Sequence, residues 1–168
     1  MTTLRIAFLT ALAFSSTQAH AVDNWSSFPG AKCVQSGTSG TPDVFLGRIS
    51  NLHTTQSLTV ACPIDRQNVF DGGIAPNSSV WVIDDHPTQS VRCTLYARDM
   101  TTNTTVFSEF EQTAAGRNSS APVELSFSNA HTSNADEVYH FSCVIPPNSG
   151  GTSRVLGILI EESGQELN

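Results

Sequence analysis

The sequence predicts an all-β protein: an antiparallel β-sandwich, immunoglobulin-like or jelly-roll-like, of eight or nine short strands with two disulfides. Three observations predict it. Apolar and polar residues alternate with period two over several short runs. Gly, Pro, Asn, Asp and Ser clusters separate these runs, and no amphipathic helical stretch exceeds two turns after the amino-terminal segment. Four cysteines, Cys33, Cys62, Cys93 and Cys143, stand far apart in the 168-residue chain, an even count that suits a stapled extracellular fold.

The first element is a leader. Arg5 precedes the apolar run Ile6–Phe14, and small and polar residues then lead to Ala19-His20-Ala21, an A-x-A cleavage pattern. The run is shorter than the ~20 residues needed to span a bilayer, so residues 1–21 read as a secretory signal peptide cleaved near Ala21. Residues 22–168 then form one β-sandwich domain, secreted or periplasmic. Losing Arg5 takes the formal charge from −7 to −8, because residues 1–21 contain no Asp or Glu. An acidic chain with 14% charged and 39% apolar residues is neither a basic nucleic-acid binder nor a charged disordered segment. No later stretch is apolar enough to enter a membrane, and the tail 161–168 is polar.

Residues 22–31 show no alternation and read as an irregular amino-terminal segment. Strands follow around Cys33, at 43–49, at Leu58–Cys62 and at 79–84. The clearest is Val91–Arg98, with Val91, Cys93, Leu95 and Ala97 on one face and Arg92, Thr94, Tyr96 and Arg98 on the other. Further strands are read at 104–111, Val123–Phe127, Tyr139–Ile145 and 153–161. The turns fall at Asp71-Gly72-Gly73, Ala75-Pro76-Asn77-Ser78, Asp85-His86-Pro87 and 146–151. On this reading there is no internal repeat.

Cys93 and Cys143 each occupy the apolar face of an alternating strand, so they can meet across the core or between neighbouring strands. Cys33 and Cys62 then join the entry segment to an early strand, giving the pairs Cys33–Cys62 and Cys93–Cys143. Thiolate metal binding is disfavoured, because the nearest cysteines are 29 residues apart and no C-x-x-C occurs.

Catalytic patterns are scarce. There is no G-x-S-x-G elbow and no H-E-x-x-H, and His53, His86, His131 and His140 stand in no triad spacing. Glu109 and Glu111 share a strand face and read as a solvated pair. Asp84 and Asp85, at a strand end, could offer oxygens to calcium, the one cofactor that suggests itself, although a carboxylate capping a proline turn is the stronger reading. The loop Asp71-Gly72-Gly73 carries the same two readings with less charge. Tyr96 faces away from Cys93 and is a ligand-contact aromatic. Trp81 sits in a strand apolar on both faces, where core packing is expected and contact with a glycan or protein is the alternative. The N-x-[ST] triplets at Asn24, Asn77, Asn103 and Asn118 would be glycosylation acceptors in a eukaryotic secretory pathway, but the favoured reading is that a Ser/Thr-rich composition produces them by chance.

At Cys62-Pro63-Ile64, Val91–Leu95, Phe141–Pro147 and the closing run Arg154–Glu162, the chain resembles a loose group of small secreted bacterial β-sandwich proteins of unknown function. The resemblance rests on cysteines in strands and a terminal strand ending in acids. It implies the sandwich and carries over no catalytic residue. The expectation is a non-enzymatic module that binds a protein or a glycan. The alternatives are a structural subunit of a surface layer or fibre, and then a hydrolase whose site is assembled from distant loops. Oligomeric state is left open.

Overall fold

The computed structural model describes residues 22–65, 73–74, 77–128 and 131–164. The expected leader and the turn at Asp71-Gly72 lie outside the described residues. In chain order the strands are β1 (Val22–Pro29), β2 (Val34–Gln35), β3 (Pro42–Phe45), β4 (Arg48–Asn51), β5 (Leu58–Ile64), β6 (Gly73–Ile74) and β7 (Asn77–Asp84). They continue with β8 (Arg92–Asp99), β9 (Thr104–Gln112), β10 (Ser119–Phe127), β11 (Thr132–Ser133), β12 (Glu137–Ile145) and β13 (Arg154–Gly164). Two antiparallel sheets result. The six-stranded sheet runs β10-β7-β13-β4-β3, with β1 also on β13, and the five-stranded sheet runs β2-β5-β12-β8-β9. The short pair β6 and β11 forms a separate ribbon.

The expected sandwich is present, with thirteen strands among the described residues rather than eight or nine. The segment 43–49, read as one strand, is a hairpin of β3 and β4. Its tip is Leu46-Gly47, both at positive φ (48° and 78°), a turn that suits Gly but that a leucine does not announce. The segment 22–31 is not irregular. β1 pairs with β13 from Val22↔Gly164 to Pro29↔Gly157, and only Gly30–Lys32 leaves the sheet, as a 3-10 turn. Its apolar residues follow no alternating pattern; pairing along β13 holds it in place, and Phe28 packs against the core.

The core lies between the sheets. Val80, Val82, Val155, Ile158, Ile160, Leu125 and Phe127 from the six-stranded sheet meet Leu58, Val60, Leu95, Ala97, Phe141 and Ile145 from the other. Phe127 and Phe141 pack ring to ring across the gap at 4.9 Å between centroids. Both disulfides lie on the core face of the five-stranded sheet. Cys93 faces Cys143 in the register of β8 and β12, and Cys33 joins Cys62 beside the pairing of β2 with β5. Each bridge therefore links neighbouring strands rather than the two sheets.

Two crossings between the sheets share one pattern, identical at four of seven positions. Asn51-Leu52-His53-Thr54-Thr55-Gln56-Ser57 carries the chain from β4 to β5, and Asp84-Asp85-His86-Pro87-Thr88-Gln89-Ser90 carries it from β7 to β8. The internal repeat missed by strand alternation is here. In each copy the first side chain is fully buried, and its Oδ1 accepts the N–H of the histidine two residues on, at 3.0 Å for His53 and 3.2 Å for His86. The histidine Nδ1 then accepts two backbone N–H groups, from Thr55 and Gln56 or from Thr88 and Gln89. A ring nitrogen that accepts twice carries no proton, so both imidazoles are held as the Nε2–H tautomer.

The two copies differ at their first residue for a reason. Asn51 Nδ2 faces the carbonyls of Gln56, Ile145 and Pro146, so an amide is required there as donor. Asp84 Oδ2 faces donors, the Val91 N–H and the Thr113 hydroxyl, while its Oδ1 also accepts from the Ser153 hydroxyl. A carboxylate satisfies all of them.

Candidate functional site

The outer face of the six-stranded sheet carries a groove. Across the sheet, Glu124 of β10, Trp81 of β7, Gly157 of β13 and Pro29 of β1 form one row. The next row is Ser126, Ser79, Leu159 and Ser27. Trp81, expected in the core, instead points outward and is 40% exposed. Val80 and Val82 take the two inward positions, and strict alternation leaves Trp81 on the other face. Opposite it, Gly157 has no side chain to cover the indole, and a Cβ there would approach the Phe28 carbonyl oxygen at 3.1 Å.

Two depressions flank Leu159 on this face. One of about 470 Å³ is lined by Trp81, Pro29, Phe28, Gly157 and Leu159 among others. The other, of about 290 Å³, is lined by Ser79, Ser126, Asn77, Glu124 and Glu161 among others. The Ser79 hydroxyl is buried beside it and has no hydrogen-bond partner among the described residues, whereas Ser78, in register with Phe127, turns toward the core like Val80. Buried polar groups are normally satisfied, so the unpaired Ser79 hydroxyl beneath the groove lacks a partner that a ligand atom reaching it would supply. An apolar aromatic wall thus adjoins a polar floor with two carboxylates, a surface suited to binding by stacking and hydrogen bonding.

The other sequence candidates fall elsewhere. Tyr96 lies on the outer face of the five-stranded sheet, stacked on His140 at 5.2 Å between ring centroids. Burial, and then the charge of Arg98, hold His140 below its ordinary pKa. Tyr96 and Trp81 therefore belong to opposite faces and cannot share one ligand ring. The calcium reading of Asp84 is corrected: the carboxylate is fully buried and its oxygens accept from the backbone of His86 and Val91 and from Ser153 and Thr113. It locks the crossing loop. Asp85 is half-buried, its N–H donating to Ser153 Oγ at 3.1 Å, and among the described residues no group of three or more His, Cys, Asp or Glu could hold a metal ion.

Glu109 and Glu111 are not a solvated pair. β9 registers Glu109 against Leu95 and Glu111 against Cys93, which turns both carboxylates toward the inter-sheet edge and leaves Val106 and Phe110 exposed outside. Glu109 accepts the Ser128 N–H at 3.2 Å across to β10's end, and its second oxygen is buried without a partner among the described residues. Burial pushes its pKa up, the Ser128 N–H opposes this, and the charge of Glu111 adds to the rise. At the other end of the sheet Glu137 is buried and accepts from Asn134 and Tyr139 and meets His131 Nε2, each at 3.0 Å. This network fastens the start of β12 to the preceding loop.

The architecture is a two-sheet antiparallel sandwich with a groove on the outer face of its six-stranded sheet. No family model matches the sequence. No curated protein matches it. Among solved structures it is similar to a family two carbohydrate esterase from Cellvibrio japonicus, at 5% identity and a TM-score of 0.48, over 84% of this chain and 35% of that one. The chain thus spans about a third of that protein's length. It is also similar to the CBM36-1 domain of a multidomain xylanase from the hindgut metagenome of Trinervitermes trinervoides, at 12% identity and a TM-score of 0.46, over 84% of this chain and 98% of that one. A third is the low-affinity xylan-binding module CBM86 from Roseburia intestinalis, at 8% identity and a TM-score of 0.44, over 83% of this chain and 96% of that one.

Proposed function

We propose that the protein is a secreted, non-enzymatic module that binds a neutral glycan along the outer face of its six-stranded sheet. The observation that carries the reading is Trp81, held outward beside Gly157 in a groove that also passes over the unpaired Ser79 hydroxyl. A sugar ring is amphipathic, with C–H faces that stack on an indole and hydroxyl edges that pair with Ser79, Ser126 and Glu124. From Gly157 to Glu161 the groove follows β13 for roughly 13 Å, long enough for more than one sugar ring. Glu124 and Glu161, in a chain of formal charge −7, oppose acidic glycans at this face. Two disulfides fit an oxidising compartment, which the leader-like amino end also indicates. Affinity electrophoresis through gels containing neutral or acidic polysaccharides tests the proposal. Retardation by at least one neutral polymer supports it, and unaltered mobility in every neutral gel overturns it.

One observation favours a second reading, a subunit of a fibre or surface layer. β3 is an edge strand whose Val44 and Phe45 are exposed and whose tip residue Leu46 is 82% exposed. Exposed apolar edges invite strand addition. Concentration-dependent sedimentation favours this reading if the protein assembles, and the binding module if it stays monomeric.

A further inference from the structure

The repeated crossing loops converge on a second pocket, distant from the Trp81 groove. It lies at the end of the five-stranded sheet, on its outer face, with a volume of about 230 Å³. Its lining comprises Ser57, Gln89, Ser90, Arg92, Gln112, Val144 and Pro146. Ser57 and Ser90 are the matching last residues of the two copies, Asn51–Ser57 and Asp84–Ser90. The pairings Leu58↔Ile145 and Arg92↔Val144 place them on either side of Pro146, at one level. Arg92 and Gln112 are directly opposed across β8 and β9.

The chemistry of this lining is one-sided. Arg92 forms no ion pair and no side-chain hydrogen bond among the described residues, in a chain with 15 acidic and 8 basic residues. The side chains of Ser57, Ser90, Gln89 and Gln112 likewise have no hydrogen-bond partner among the described residues. The pocket contains no carboxylate. A guanidinium presents a planar fork of donors, and hydroxyls and amides add four more donor groups. The volume is below the ~300–1,000 Å³ of drug-sized sites, so it suits a single charged group or one small ring.

We propose that this pocket binds an oxyanion, a carboxylate or sulfate group, with Arg92 as the charged anchor and Ser57 and Ser90 as paired hydroxyl donors. The duplicated loops set the backbone that carries those serines: each copy is pinned by its buried first residue and its histidine up to Gln56 or Gln89, the residue before each serine. The site is independent of the glycan groove and of its reading.

The test is a nitrogen-15 NMR titration of the protein at low ionic strength with sodium glucuronate, sodium sulfate, sodium chloride or glucose. Saturable shifts of the Ser57, Ser90 and Arg92 amides are expected from glucuronate, sulfate or both, and none from glucose or from chloride at matched ionic strength. Saturation by glucuronate alone assigns a carboxylate, by sulfate alone a sulfate. Arg92→Gln, at an exposed position, should keep the melting temperature and weaken affinity at least about tenfold, as loss of a charge-assisted contact does. Arg92→Lys should fall between. Trp81→Ala should leave these shifts unchanged. Shifts that never saturate, that chloride reproduces, or that persist at equal affinity in Arg92→Gln overturn the proposal.

Discussion

Exchanging the first residues of the two crossing loops separates donor need from acceptor need. Asn51→Asp keeps the shape and puts an oxygen where an amide donated to the carbonyls of Gln56, Ile145 and Pro146 at 2.8, 3.2 and 3.1 Å. The bonds to Ile145 and Pro146 are wholly buried, and each orphaned buried acceptor costs about 1–3 kcal/mol, so the change should cost on the order of 4 kcal/mol. Asp84→Asn is milder. Oδ1 keeps its donors, and the Thr113 hydroxyl can turn to the Val91 carbonyl, 3.4 Å away, while Val91 N–H keeps Thr113 Oγ1 at 3.0 Å. About 1–2 kcal/mol is expected. In urea, with a slope of about 2 kcal/mol per molar, the midpoint should fall by about 2 M for Asn51→Asp and by less than about 1 M for Asp84→Asn. Equal drops, or an Asn51→Asp loss within about 0.5 kcal/mol of a surface substitution, would refute the donor and acceptor assignment.

Glu109, whose pKa is raised above the usual 4.5, favours the protonated form in the fold, so its contribution is present in acid and lost as pH rises through the raised value. Glu109→Gln should therefore raise the melting temperature at pH 7 and lose that advantage below about pH 4; a drop at pH 7 contradicts this. His140 has the opposite case: its pKa is lowered from 6.5, so its contribution is present above 6.5 and is lost as pH falls through the lowered value. An NMR titration midpoint for His140 at or above 6.5 would count against the burial and Arg98 explanation. Replacing Cys93 and Cys143 together by Ala opens a link between residues 50 apart, worth about 4 kcal/mol in the chain-entropy model. Non-reducing peptide mapping should return Cys33 with Cys62 and Cys93 with Cys143, and a peptide joining Cys33 to Cys93 or Cys143 contradicts the structure.

The sandwich was legible because its central strands obey alternation: β8 and β12 bury every second residue. β1 was not, since it pairs along its backbone and its sequence lacks an apolar face. The hairpin tip at Leu46-Gly47 was hidden by a leucine in a conformation that Asn or Gly usually takes. β9 misled for another reason. As an edge strand it turns Phe110 to solvent and Glu109 inward, and only its register with β8 reveals which way the alternation runs. Trp81 was ambiguous because Ile83 is buried on the same outer face, so apolarity on both sides of β7 did not mark a core position. The repeat of Asn51–Ser57 in Asp84–Ser90 was present in the letters, but it sits in loops, where period-two reading has nothing to count.

The most direct test of the proposed function compares Trp81→Ala with Tyr96→Ala in the same binding assay. The two residues lie on opposite outer faces, and neither belongs to the buried core. With a neutral polysaccharide that retards the native protein, Trp81→Ala should migrate as if no polymer were present, while Tyr96→Ala should be retarded as the native protein is. Undiminished retardation of Trp81→Ala, with its fold intact by circular dichroism, would contradict the placement of the glycan site on the six-stranded sheet.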